Sequence, residues 1–397
     1  MKISCSLFAC LISGIEQIRE SYAAEVKITA GDATAYDNFG VSVSISGDTA
    51  IVGVPHDDSV GDWSGAAYIF VRDGTGWVQQ AKLTPSDASE GDGFGVSVAI
   101  SGEVAVVGAW KNNDVGDASG AVYIFVREGT GWLQQARLVP SDASEGNGFG
   151  VSVAIDRDTA IVGAWRDDDA GDASGAVYIF VRSGAAWKQQ AKLTANDVTP
   201  YDNFGISTAI SEDTAIIGTF IVDSAYIFAR DGTRWTQQAR LAPGDDAVGN
   251  GFGESVSVSG NTAIVGAPYD DDGGGNSGAA YIFVCDGTDW TQQAKLIPSD
   301  VAVGDWFASA VSISGNTAIV GAWRDNDAGD ASGSAYIFVR SGTHWTQGAK
   351  FTASDAAMND IFGQSVSISG DFAIVGAYAD DHAGGDDSGS AYIYHAR

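Results

Sequence analysis

Seven copies of one unit run along almost the whole chain, each opened by a phenylalanine: Phe39, Phe94, Phe149, Phe204, Phe252, Phe307 and Phe362. Successive copies start 55 residues apart, except that Phe252 follows Phe204 by 48. A period this long marks supersecondary units that stack or radiate, since one unit alone cannot bury its apolar surface.

Each copy divides into four apolar stretches separated by Gly, Asp and Ser. In the third copy they cover residues 149–155, 159–164, 175–182 and 187–194. Val, Ile, Tyr, Phe and Thr dominate, and none of the stretches repeats at i, i+3, i+4, so they read as strands. Tight turns such as Ser46-Gly47-Asp48 join the first two strands, as antiparallel hairpins require. The third stretch, AVYIFV at 176–181, is apolar on both faces and needs cover on both. Four-stranded antiparallel sheets arranged radially supply that cover in a β-propeller of about four to eight blades. The expected fold class is all-β, a seven-bladed β-propeller of four-stranded antiparallel blades.

The two ends of the repeat region are complementary. The last copy stops after its third strand, at AYIYHAR. The strand it lacks stands at the other end, where VKITAGDA (26–33) matches AKLTPSDA (81–88) one period on. The N-terminal strand should therefore complete the last blade, closing the ring and removing its open sheet edges. Residues 24–397 then form one propeller domain.

Residues 1–23 lie outside the repeat. Lys2, the apolar run from Ile3 to Ile15 and the small residues around Ala23 resemble a secretory signal peptide. A disordered extension or a misplaced start is the alternative. Net charge is −30, which sets the surface against nucleic acid and anionic membranes. No stretch is long and apolar enough to span a bilayer. Of the three cysteines, Cys5 and Cys10 fall in the leader, so Cys285 has no partner within the repeats.

Alternating strand direction puts two kinds of connection on one face of the disc. The loop from second to third strand carries Asp57, Asp58 and Asp62 in the first copy and Asp167, Asp168, Asp169 and Asp172 in the third. The crossing to the next blade carries Asp37, Asp87, Glu90, Asp92, Asp142, Glu145, Asp202, Asp305 and Asp360. Both are acidic, and the cations expected beside them are chiefly Lys111, Arg166 and Arg324. Lys82, Arg137, Lys192, Arg240, Lys295 and Lys350 recur on the outer strand and are assigned to the opposite, nearly balanced side.

Phe-Gly opens the units and Gly-Ala-Pro or a variant closes the second strand. Examples are Phe39-Gly40 with Gly53-Val54-Pro55, Phe94-Gly95 with Gly108-Ala109-Trp110, and Phe252-Gly253 with Gly266-Ala267-Pro268. The chain thus resembles the FG-GAP family over essentially residues 24–397, and looks most like its secreted bacterial branch, with the integrin α head as a more distant relation. The resemblance implies a seven-bladed propeller used for adhesion or recognition. Integrin-type units place an Asp-rich calcium loop between Phe-Gly and Gly-Ala-Pro. Here that interval is a tight hairpin (VSVSISGDTAIV, 41–52), so those calcium sites do not carry over.

Calcium could instead bind the loop after Gly-Ala-Trp. Asp167, Asp169 and Asp172 alternate around a glycine, and Asp270/Asp272 and Asp325/Asp327/Asp330 repeat the spacing. Such oxygens suit a hard cation of about 6–8 ligands. The bland reading is a solvated acidic turn. Trp110, Trp165 and Trp323 stand beside these loops, and Trp63 and Trp306 lie within single loops. Exposed indoles would stack on sugars, whereas packing between blades would account for the recurrent three. Symmetry does not account for Trp63 and Trp306.

Catalytic signals are thin. His56, His344, His382 and His395 show no triad or metal spacing, and Gly273-Gly274-Gly275 opens no helix. Only the fourth copy clearly breaks the pattern, having lost its acidic loop at TFIVDSA (219–225). The expectation is a secreted or cell-surface binding propeller for a protein or polysaccharide, engaged through the acidic face with possible calcium assistance. A polysaccharide lyase or glycosidase with its site at the fourth-blade notch, and a structural spacer, are the alternatives.

Overall fold

The computed structural model describes residues 25–74, 76–244 and 249–396; the leader expected at 1–23 lies outside them. Seven four-stranded sheets form the blades, with neighbouring strands antiparallel in each. Blade one comprises an inner strand Ser42–Ser46, then Thr49–Val54, Ala66–Asp73 and an outermost Gly76–Leu83. The seventh sheet contains Ser365–Ser369, Phe372–Ala377 and Ser390–His395, and its outer edge is Val26–Ile28. Val26 pairs with Ile393 and Ile28 with Ala391, so the N-terminal strand closes the ring as expected. Among the described residues, no helix is long and apolar enough to cross a membrane.

Burial follows the sequence pattern. The second strand is buried at every position (Thr49–Val54), because a blade lies against each of its faces. The inner strand alternates, with Val43 and Ile45 buried between half-buried serines. Each opening phenylalanine is fully buried. Phe94 packs edge-on against Tyr123 at 5.5 Å and Phe125 at 6.0 Å, and the arrangement recurs around the ring. Burying one such ring contributes roughly 1.5–3 kcal/mol.

The Phe-Gly and Gly-Ala-Pro signatures are one contact seen from two blades. A Cβ on Gly53 would collide with the carbonyl oxygen of Gly95 on the next blade. That oxygen also accepts a hydrogen bond from the Ser42 hydroxyl at 2.8 Å. Gly95 itself holds φ +98°, a conformation few L side chains adopt. The close approach of two backbones therefore dictates both glycines.

The WxQQ stretch forms a second girdle between blades at the rim. The outermost strand bulges between Ile69 and Phe70, where Ala81 and then Gln79 are the partners, so Gln80 is left out of the ladder. Gln80 accepts from the indole N–H of Trp132 on blade two at 3.0 Å. Gln79 accepts from the Gly31 amide at 2.9 Å. The outer strands of blades one to five are thereby tied to the next blade round the ring, whereas blade six carries Gly348 in place of the second glutamine.

Candidate functional site

The loops joining second to third strands and the crossings between blades share one face. At the root of each regular loop sits a buried aspartate, Asp57, Asp167, Asp270, Asp325 or Asp380. The sequence around it is uniform: the second strand ends, the chain turns, and a tyrosine on the third strand points back. Tyr178 donates to Asp167 at 2.8 Å and Tyr336 to Asp325 at 2.8 Å. A lysine from the outermost strand completes the knot. Lys192 Nζ lies 3.0 Å from Asp167, 2.5 Å from Asp169 and 2.9 Å from Asp142. Lys350 makes the same contacts with Asp325, Asp327 and Asp300. In the closing blade Lys27 takes this role toward Asp355 and Asp380.

These contacts correct the charge map drawn from sequence. The outer-strand lysines do not belong to the hairpin side. Each stands near the end of an ascending strand, and its four-carbon stem carries the ammonium up into the acidic loops. The face is acidic at its tips and neutralised at its roots. Burial works against charge on Lys192, but hydrogen bonds from its ammonium to Asp169, Tyr178, Asp142 and Asp167 raise its pKa well above 10.5. Burial likewise opposes ionisation of Asp325, and Lys350 overrides it, holding that carboxyl below 3.8. The arginines ending the third strands do lie at the hairpin side, as with Arg72 and Asp48 at 2.5 Å.

The acids considered for calcium divide accordingly. Asp167 and Asp169 converge on Lys192, Asp270 and Asp272 on Lys295, and Asp325 and Asp327 on Lys350. Asp172 and Asp330 are exposed and stand apart from the knots. Among the described residues no group of three or more His, Cys, Asp or Glu side chains is arranged to hold a metal. Blade two carries Asn112 for the root aspartate and Arg137 for the lysine, bonded at 2.8 Å.

The aromatic residues gather where the axial channel opens on this face. Trp306 packs edge-on between Tyr269 and Trp323, 5.1 Å from each ring. Trp110 meets Trp165 at 6.5 Å. Trp63 stacks on His56 at 4.9 Å and remains 54% exposed. Three cations rest on these rings: Lys111 over Trp63 and Trp110, Arg166 over Trp165 at 4.0 Å, and Arg324 over Trp306 and Trp323. None of the three forms an ion pair among the described residues. The residues that follow the inner-strand Phe-Gly pairs, or Phe307-Ala308 in blade six, are Val41, Val96, Val151 and Ile206 in blades one to four, but Glu254, Ser309 and Gln364 in blades five to seven. Glu254 Oε2, Ser309 Oγ and Trp165 Nε1 are buried without a hydrogen-bond partner among the described residues. Burial raises the Glu254 pKa, partly opposed by the nearby Tyr269 hydroxyl. This change from apolar to polar across the mouth escaped sequence reading; aligning the copies at that one column would have shown it.

The fourth-blade notch closes on itself. Thr219 donates both its amide and its hydroxyl to the Ser224 carbonyl, at 3.1 and 2.8 Å. Asp223 accepts from the Phe252 amide, leaving Phe220 and Ile221 exposed above.

Similarity to known proteins agrees with the propeller fold. No curated protein matches the chain. The crystal structure of Sqt1 from Saccharomyces cerevisiae is similar at a TM-score of 0.51 and 12% identity, covering 94% of this chain and 85% of that one. At that identity the likeness shows the propeller fold alone. The FG-GAP repeat model matches residues 22–70, 77–125, 132–180, 187–228, 235–283, 290–338 and 345–394. Each matched unit holds the outermost strand of one blade and the three inner strands of the next. With seven matched repeats spanning most of its length, the chain belongs to the FG-GAP repeat family.

Proposed function

We propose that the chain is a binding module that engages an extracellular protein or polysaccharide through its loop-bearing face, with the aromatic collar at the channel mouth as the contact surface. One observation carries this reading. Trp63 is a large ring, 54% exposed, on a backbone at φ +55°, where its counterparts in other blades are Ala118, Ala173, Asp223, Asn276, Ala331 and Asp387. Packing gives no reason for an indole there, and with Trp110 and Tyr378 it lines one cleft rimmed by polar loops, the kind of exposed apolar patch that marks an interaction site. FG-GAP repeats are typical of extracellular or surface proteins, which supports a location outside the cell. In this reading the outer-strand ammonium groups, rather than calcium, neutralise the loop roots, and the acidic tips keep the face soluble and selective.

The test is retention of the full chain on a panel of immobilised cell-wall polysaccharides and purified surface proteins. At least one should retain it, and the double variant Trp63→Ala/Trp306→Ala should weaken retention at least tenfold. The hairpin-side variant Arg72→Ala/Arg182→Ala should leave it unchanged. Equal losses in both variants, or no retention anywhere, would favour the spacer reading.

A further inference from the structure

The mouth of the channel is not uniform. Between blades seven, one and two it opens into a cleft of about 370 Å³, lined by His56, Trp63, Trp110, Lys111, Gln364 and Tyr378 among others. That size lies at the lower end of ordinary small-ligand pockets, about 300–1,000 Å³. Its walls are aromatic and its polar groups few, as such pockets generally are.

Each polar group has a definite valence. Asn38 Nδ2 donates to the carbonyls of Tyr378 and Asp387, which fixes Asn38 Oδ1 as an acceptor. His56 Nδ1 lies 2.5 Å from that oxygen and must donate to it. In the neutral ring Nε2 is then an acceptor. Burial and the neighbouring Lys111 both lower the His56 pKa, favouring that neutral form. Lys111 differs from Lys192 and Lys350 in having no carboxylate among the described residues; its ammonium lies 5.8 Å from the Trp63 ring centre and 5.2 Å from that of Trp110. In a chain of net charge −30, a cation left over two indoles is a local positive spot in an acidic field.

From this juxtaposition we infer that the cleft between blades seven, one and two binds a single sugar unit bearing one carboxylate, a uronic-acid residue. The pyranose lies with its C–H groups against the exposed edge of Trp63, whose face His56 covers, the carboxylate meets Lys111, and a ring hydroxyl donates to His56 Nε2. Gln364 supplies a further donor and acceptor. The surrounding Asp58, Asp62 and Glu90 line the adjoining depression beyond Trp63 and repel a polyanion, so an isolated uronate is preferred to a polyuronate chain.

This inference rests on the binding-module reading, and its test separates the two. The full chain is titrated calorimetrically with methyl glucuronide, methyl glucoside and polygalacturonate, alongside the immobilised panel. The glucuronide should bind at least tenfold more tightly than the glucoside, and polygalacturonate should gain nothing per residue. Lys111→Met keeps the stem and should abolish the preference while retaining glucoside binding. Lys111→Arg should retain part of the preference, and Trp63→Ala should lose both sugars with its melting temperature unchanged. A glucoside bound as well as the glucuronide, a preference that survives Lys111→Met, or tighter binding of polygalacturonate would overturn the inference. Panel retention without binding of either monosaccharide would overturn it too, yet leave the binding-module reading standing. No retention and no sugar binding would remove both.

Discussion

Two sets of cations occupy the same face and have opposite surroundings. Lys192 and Lys350 are sunk among three carboxylates and a tyrosine at the loop roots, whereas Lys111, Arg166 and Arg324 lie on indole rings at the channel mouth. The first set is fully committed inside the protein. The second is held by rings that leave its charge available. A sequence-wide charge of −30 conceals this division, because the repeat supplies structural cations in every regular blade and spare ones in only a few. Charge on this face is therefore a matter of depth: paired at the roots, aromatic-bound at the mouth, unopposed at the tips.

The comparison breaks most visibly if a root lysine is removed. Lys192→Met leaves Asp167 buried without its cation, and breaking a buried pair in this way costs about 3–5 kcal/mol. Because Lys192 is itself partly exposed, the lower end of that range is expected in chemical denaturation. The double variant Lys192→Met/Asp167→Asn should recover part of the loss. Calcium sharpens the point: the wild type should melt at the same temperature in calcium as in magnesium, while Lys192→Met, with Asp142, Asp167 and Asp169 freed, should gain stability specifically from calcium by mass action. A calcium-specific rise in the wild type would instead return function to the loop acids.

Acidity gives a second, intermediate effect. Burial pushes the Asp305 and Asp360 carboxyls up to about 6, from an ordinary 3.8. With the folded pKa above the unfolded one, the folded state holds these protons more tightly between about 4 and 6, and the stability they contribute is lost as pH rises through 6. The lysine-paired acids behave oppositely. Asp325, despite burial, is held below 3.8 by Lys350, so its contribution is present above the unfolded pKa and disappears as pH falls further. The melting temperature should therefore be highest near pH 4 and decline as pH rises from about 4 to 6. Asp305→Asn and Asp360→Asn should flatten that decline, a result read from melts between about pH 4 and 7.

The smallest effect is the most discriminating. Lys111→Met should change stability by no more than about 0.5 kcal/mol, as ordinary surface substitutions do. A loss comparable with that of Lys192→Met would mean that the mouth cations are structural after all.

The fold was legible because the period, the strand composition and the matched ends of the repeat region all stated one topology. The glycines of the signature were legible as a motif, but their cause, Gly95 pressing on Gly53, needed the neighbouring blade. The root knots were missed although the sequence held their signal: Lys82, Lys192 and Lys350 each stand 25 residues after Asp57, Asp167 and Asp325, and blade two changes both partners together, to Asn112 and Arg137. Reading the direction of the outermost strand would have placed those lysines at the loop face. The cleft was less accessible still. Trp63 was visible as a symmetry-breaking residue, but its neighbours His56, Lys111 and Gln364 come from three blades and meet only once the ring is closed.

The family's sequence unit is out of step with the blade by one strand, and this has a consequence for how such a ring is made. Every unit carries a rim for the blade before it and a hub for its own. An array of any number of whole units is left with an unfinished sheet at each end, and the two unfinished sheets are always complements. Adding or losing a unit changes the circumference and preserves the seam. The join between Val26 and Ile393 is thus one instance of a bond that every boundary in the ring already makes within the chain. The closed circle has no privileged starting point, only a place where its thread happens to be cut.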